Sequence, residues 1–234
     1  MRIAFIVVLS LSLVACSDND QETLEVNLGY DYFPVEIGSF VEYRVDSIWH
    51  NQPEPNIDGI HDTLTYFLKE VVESEFLDAE EENSLRIERF KKSSKEEEWK
   101  LIDIWLAKRG RSSAEKVEEN LRYIKLAFPL AITASWDLNA LNAKETWQTR
   151  YDSLFLERTI NDHLFERTIT TVQRENKNLI DDELAYEVYA EDVGLIIRYE
   201  RDLETQLNFD IEPVASNIRS GHEFYWEVID YGVK

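Results

Sequence analysis

Cysteine is nearly absent: the chain of 234 residues holds a single one, at position 16, so no disulfide within the chain can staple the fold. Glycine and proline are scarce as well, at seven and five residues, which excludes collagen-like repetition and a low-complexity linker. The third shortage is positive charge. Lys and Arg number 25 against 47 Asp and Glu, a formal charge of −22 at pH 7. Such a surface repels phosphate backbones, whose recognition needs clustered Lys and Arg, and nucleic acid is excluded as a partner. No apolar run approaches the 20 or so residues a helix needs to span a bilayer. What is present, 44% apolar and 31% charged residues, excludes wholesale disorder. About 220 residues bury roughly 70% of the unfolded surface, so one core and one domain are expected.

The first residues read as a targeting segment. Met1-Arg2 supplies a positive start, and Ile3 to Val14 is an apolar run broken only by Ser10 and Ser12, the length of a signal-peptide core. The run ends in Leu13-Val14-Ala15-Cys16. This resembles the lipobox of bacterial lipoproteins, in which the Cys thiol receives a diacylglyceryl group, the peptide is cut just before it, and the new N-terminus is acylated. The resemblance implies that residues 1–15 are a cleaved signal peptide and that Cys16 is the lipidation site. Residues 16–30 then form an acidic tether, starting with Ser17-Asp18-Asn19-Asp20, and 31–234 an extracytoplasmic domain. At roughly 0.8 kcal/mol per buried CH2, several acyl chains hold a protein at a membrane without any crossing helix. The expected location is the Gram-negative envelope, at the outer membrane, either facing the periplasm or exposed at the cell surface. The Ser-plus-acidic stretch resembles the export signal of surface lipoproteins, interrupted here by Asn19.

Beyond about Tyr30 the hydrophobic pattern repeats every two residues. In Val41-Glu42-Tyr43-Arg44-Val45-Asp46 the apolar side chains share one face of a half-buried strand. The same reading applies to Leu64 to Leu68, to Leu85-Arg86-Ile87, to Ile102-Asp103-Ile104 and to Phe224 to Val228. Phe155 to Ile160 and Leu164 to Ile169 are near copies, and Asn161-Asp162-His163 between them marks a hairpin. Short helices are expected at Ser112 to Asn120, after a serine cap, and at Asn178 to Leu184. Loops are expected around Pro53 and Pro55, at Ser135-Trp136-Asp137, and from Phe209 to Arg219. The fold class is mainly β: a curved antiparallel sheet or barrel-like meander of about ten strands, with at most one or two short helices.

Two stretches carry a further resemblance. Tyr32-Phe33-Pro34, Gly38 and Tyr43-Arg44-Val45-Asp46-Ser47 look like the opening strand of many extracytoplasmic lipoprotein domains, with Val41 where Trp is usual. Glu187-Val188-Tyr189-Ala190 and Val193-Gly194-Leu195-Ile196 resemble a strand-turn-strand of the same broad group, with Asp192 where Gly is usual. The resemblance implies an antiparallel β-meander and supplies no catalytic residues.

Chemistry is hard to find along the chain. The four histidines, His50, His61, His163 and His222, include no helical i, i+4 pair. His61-Asp62 is the nearest approach to an acid-base or metal pair, yet neighbours on a strand face opposite ways. No Gly-x-Ser-x-Gly elbow or glycine-rich phosphate loop occurs. Glu80-Glu81-Glu82 and Glu96-Glu97-Glu98 lack the order of a calcium loop and read as solvated turns. No catalytic, metal or cofactor residue is therefore expected. The six Trp residues, 49, 99, 105, 136, 147 and 226, either fill the core or line a groove for an apolar or sugar ligand. The leading expectation is a non-catalytic, lipid-anchored module that binds an envelope protein or glycan. The alternatives are a carrier holding a hydrophobic ligand such as an acyl chain in a curved sheet, and an envelope hydrolase.

Overall fold

The computed structural model describes residues 27–51, 60–208 and 215–234. The signal segment, Cys16, most of the tether, the loop around Pro53 and Pro55, and residues 209–214 lie outside the described residues.

Twelve strands form one antiparallel sheet. They are β1 (Ser39–Asn51), β2 (Ile60–Leu77), β3 (Asn83–Lys92), β4 (Lys100–Arg109), β5 (Ser113–Glu118) and β6 (Leu121–Ala127), then β7 (Ser135–Asp137), β8 (Gln148–Ile160), β9 (His163–Lys177), β10 (Asp181–Ala190), β11 (Gly194–Asn208) and β12 (Ala215–Val233). Each strand pairs with its neighbour in sequence except at β6 and β7, and β12 pairs with β1, so the order runs β6 to β1, then β12 down to β7. The free edges, β6 and β7, meet without a ladder. Ile124 N donates to Leu138 O (3.0 Å), Trp136 Nε1 to Ile124 O (2.8 Å) and Asn142 Nδ2 to Arg122 O (2.8 Å). The result is a barrel-like meander with one seam, curled with the help of bulges in most of its ladders, such as those at Glu42/Tyr43 and Glu204/Thr205.

Register explains the core. Tyr43 stands opposite Leu68 and Val228, and Val45 opposite Tyr66 and Trp226, so the alternating residues of β1 meet those of both neighbours on the inner face. Tyr43, Val45, Leu85, Ile87, Trp226 and Val228 are buried, as their alternation predicts. One end of the interior is apolar and is stoppered by the incoming chain, whose 3-10 turn Tyr30–Tyr32 is the sole helical piece among the described residues. Arg109 Nη1 holds that segment by donating to Tyr30 O and Phe33 O, each at 3.1 Å.

Here the two resembling motifs touch. Asp192 N donates to Asp31 O (2.9 Å), Tyr43 Oη to Leu195 O (2.9 Å), and a Cβ on Gly194 would lie 3.2 Å from Pro34 Cδ. Gly194 also has φ +91°, so both its conformation and its missing side chain are needed.

Several expectations are corrected. Ser112 to Asn120 is not helical but holds strand β5 and the turn after it. Its inward residues are Ala114, Lys116 and Glu118, and charge on the buried face disguised the alternation. Asn178 to Leu184 is the β9–β10 turn and the start of β10, with Asn178 Oδ1 accepting from Ile180 N and Asp181 N. On β4 the buried side is Trp105 and Ala107, while Ile102 and Ile104 face outward and are exposed. Leu64 keeps the inward parity but lies past the packed region and is exposed. Ser135–Asp137 is strand β7, and β12 already runs from Ala215. The Asn161-Asp162 hairpin stands as read, except that His163 opens β9 rather than belonging to the turn.

Candidate ligand-binding cleft

The middle of the barrel is charged. Lys125 of β6 reaches Glu187 of β10 at 2.7 Å and Glu118 of β5 at 3.2 Å. Arg198 of β11 meets Glu118 at 2.9 Å, and Tyr189 Oη donates to Glu187 Oε2 at 2.6 Å. Beside this cluster Lys116 Nζ and Arg89 Nε bind the two oxygens of Glu70, at 2.6 and 3.2 Å. These strands are mostly not neighbours in the sheet, so the side chains cross the interior.

Burial pushes the Glu118 and Glu187 carboxyls up, but Lys125 and Arg198 outweigh it and hold both below the usual range. Burial would likewise strip the proton from Lys125, and the two carboxylates outweigh it, so its pKa rises. The cluster is thus locked in its ionised form.

Beyond it, away from the stoppered end, a cleft of about 330 Å³ opens. Its aromatic walls are Tyr66, Trp105, Tyr123, Phe224 and Trp226, and its polar groups are Arg89, Arg198, Lys144, Glu118, Glu119 and Glu200. Arg89 stacks on Trp105, its guanidinium 3.5 Å from the ring centre, and Arg198 lies 5.2 Å from the centre of Trp226. The apolar cavity at the stoppered end, between Phe33, Tyr43, Val72, Leu85 and Leu195, measures only about 90 Å³. Ligand sites ordinarily occupy about 300–1,000 Å³, a range the cleft reaches and this cavity does not.

The Trp residues take the expected roles only in part. Trp105 and Trp226 are buried walls of the cleft, Trp136 closes the seam, and Trp147 borders a chamber adjoining the cleft. Trp99 lies beside Lys69 and Lys92, and Trp49 is exposed against His222.

The histidines lie outside the cleft. His61 is not paired with Asp62. It meets His50 across the β1–β2 ladder, with Nδ1 to Nδ1 at 2.8 Å. His50 Nε2 lies 3.0 Å from Glu223, which accepts a hydrogen bond from Tyr199 Oη at 2.6 Å. Equal distance from the loop around Pro53 and Pro55 is a sequence sign that could have brought His50 and His61 together. His163 Nε2 approaches Ile229 O, and His222 packs on Phe224.

Glu80 and Glu82 gather with Asp78 around the Lys108 ammonium, which supplies the positive charge within that turn. Sequence reasoning missed the interior charges. Their trace is a lone ionisable residue inside an apolar strand: Lys125 in Tyr123 to Phe128, and Glu187 in Leu184 to Ala190.

No known protein family matches the chain, and no characterised protein matches it in sequence. Among solved structures, one described for lipid–protein interactions in lipovitellin is similar over 86% of this chain, with 9% identity and a TM-score of 0.40. The chain spans 26% of that protein's chain, and a likeness this distant says nothing of ligand or role.

Proposed function

We propose that the protein is a non-catalytic binding module, held outside the cytosol at the outer membrane by lipid on Cys16, which offers its aromatic cleft to a small polar ligand. The observation that carries the binding role is the cleft itself, of ligand-site volume and walled by rings and charges together. Its innermost carboxylate, Glu118, is salt-bridged and held ionised, whereas a general acid needs a carboxyl raised toward neutral pH. That favours binding over hydrolysis. The small size of the apolar cavity favours a polar ligand over an acyl chain.

Two measurements test this reading. Cys16→Ser should abolish metabolic lipid labelling and release the protein from membranes; a mutant still labelled contradicts the anchor. Native mass spectrometry of the detergent-extracted protein should show a bound small polar molecule that Trp226→Ala loses. A retained acyl lipid in its place would establish the carrier alternative.

A further inference from the structure

The cleft does not end at Tyr123 and Lys144. Those two residues, with Arg198, also border a chamber of about 70 Å³ that continues to Trp147 and Gln173. Trp147 and Gln173 in turn border a third recess of about 350 Å³, which reaches Arg150, Arg174 and Glu175. Three compartments therefore follow one another, each sharing lining residues with the next, in a groove that runs from the barrel interior out to the exposed Arg150 and Glu175. Lys144 lies across the first junction, 5.4 Å from the centre of the Tyr123 ring.

The second junction holds an anomaly. Gln173 is 7% exposed, and its Nε2 has no hydrogen-bond partner among the described residues. A buried amide donor left unpaired is costly, and such groups in folded proteins normally have a water, an ion or a ligand to satisfy them. It is one of five such side-chain atoms among the described residues and the one that borders the groove, where an occupant bringing an acceptor would satisfy it.

Three features narrow the occupant. In the main cleft three cations, Arg89, Arg198 and Lys144, balance three carboxylates, Glu118, Glu119 and Glu200, although the whole chain is strongly negative, so the lining favours a molecule without net charge. Donors and acceptors alternate with the half-buried rings of Tyr123, Phe224 and Trp147, the combination that matches hydroxyl groups, which both donate and accept, set on an apolar ring face. An extended peptide would instead seek a free sheet edge, and at the seam β6 gives Ile124 N and O and Arg122 O to the segment 136–142. We propose that the groove binds a neutral oligosaccharide of two or more rings, one of whose oxygens accepts from Gln173 Nε2 beside Trp147. This rests on the cleft being the binding site.

The full mature protein, kept in a detergent without a sugar headgroup, is titrated calorimetrically with malto-, cello-, xylo- and chito-oligosaccharides of two to six units. At least one series should bind, with affinity rising with length. Gln173→Leu should weaken that binding about tenfold, the loss of one hydrogen bond, while leaving the melting temperature equal or higher because an unpaired buried donor has gone. Trp147→Ala should weaken it at least as much. Absence of binding by every hexasaccharide, or binding indifferent to both substitutions, overturns the proposal. If native mass spectrometry meanwhile shows a polar ligand that is not a saccharide and is lost in Trp226→Ala, the binding role stands and only the ligand class falls.

Discussion

Lys125 is the residue on which the interior depends most. It is buried and with Arg198 neutralises Glu118 and Glu187, so Lys125→Met should leave one negative charge without compensation and cost about 3–5 kcal/mol, measured by urea denaturation. Loss of under 1 kcal/mol would mean that water reaches the cluster. The acid dependence follows from the same groups. Glu118 and Glu187 have folded pKa values below their unfolded ones, so their contribution is complete above about pH 5 and is lost as pH falls through the depressed values. Stability should therefore decline between about pH 5 and pH 2, and more steeply in the wild type than in Lys125→Met. Equal slopes would remove the cluster from the account of acid unfolding. The sequence marks Lys125 and Glu187 only as lone ionisable residues in apolar strands, and partners 62 or 80 positions apart leave no local sign of the pairing.

At the scale of the strand, alternation names a face but not always the buried one. For β1 it did: Tyr43 and Val45 are buried because their register neighbours Leu68, Tyr66, Trp226 and Val228 are apolar too. For β4 it misled, since the inward series Asp103, Trp105, Ala107 is less apolar to the eye than the outward Ile102, Ile104, Leu106. Val45→Asp should accordingly cost more than about 3 kcal/mol, while Ile104→Asp should change stability by about 0.5 kcal/mol or less. Thermal or chemical denaturation of the pair decides the matter, and similar losses in both would show that Ile104 is covered. The β5 reading failed for the same reason: a strand whose inner residues include Lys116 and Glu118 looks like a polar surface helix unless its partners are known.

For the molecule as a whole, the meander was readable because short connections and period-two segments recur along most of the chain, and the Asn161-Asp162 hairpin was read at the right place. Closure was not readable. It depends on two strands, β6 and β7, that are adjacent in sequence yet share no ladder, and on Trp136, which looked like a loop residue. The groove was visible only as an excess of Trp, because its walls come from strands at both ends of the chain and from the segment between β7 and β8.

The stopper formed by Tyr30 to Pro34 also has a consequence for the proposed anchor. The chain enters the described barrel at that pole, where Ser39 and Phe40 border the small apolar cavity, whereas Tyr66, Phe224 and Glu200 lie farther along the same strands toward the opposite pole. A lipid on Cys16 would pull on the closed pole, and the eleven residues 16–26 extend at most about 40 Å. The cleft, open among the described residues, would then be turned away from the bilayer like a cup standing on its base, sampling what diffuses past rather than what dissolves in the membrane beneath.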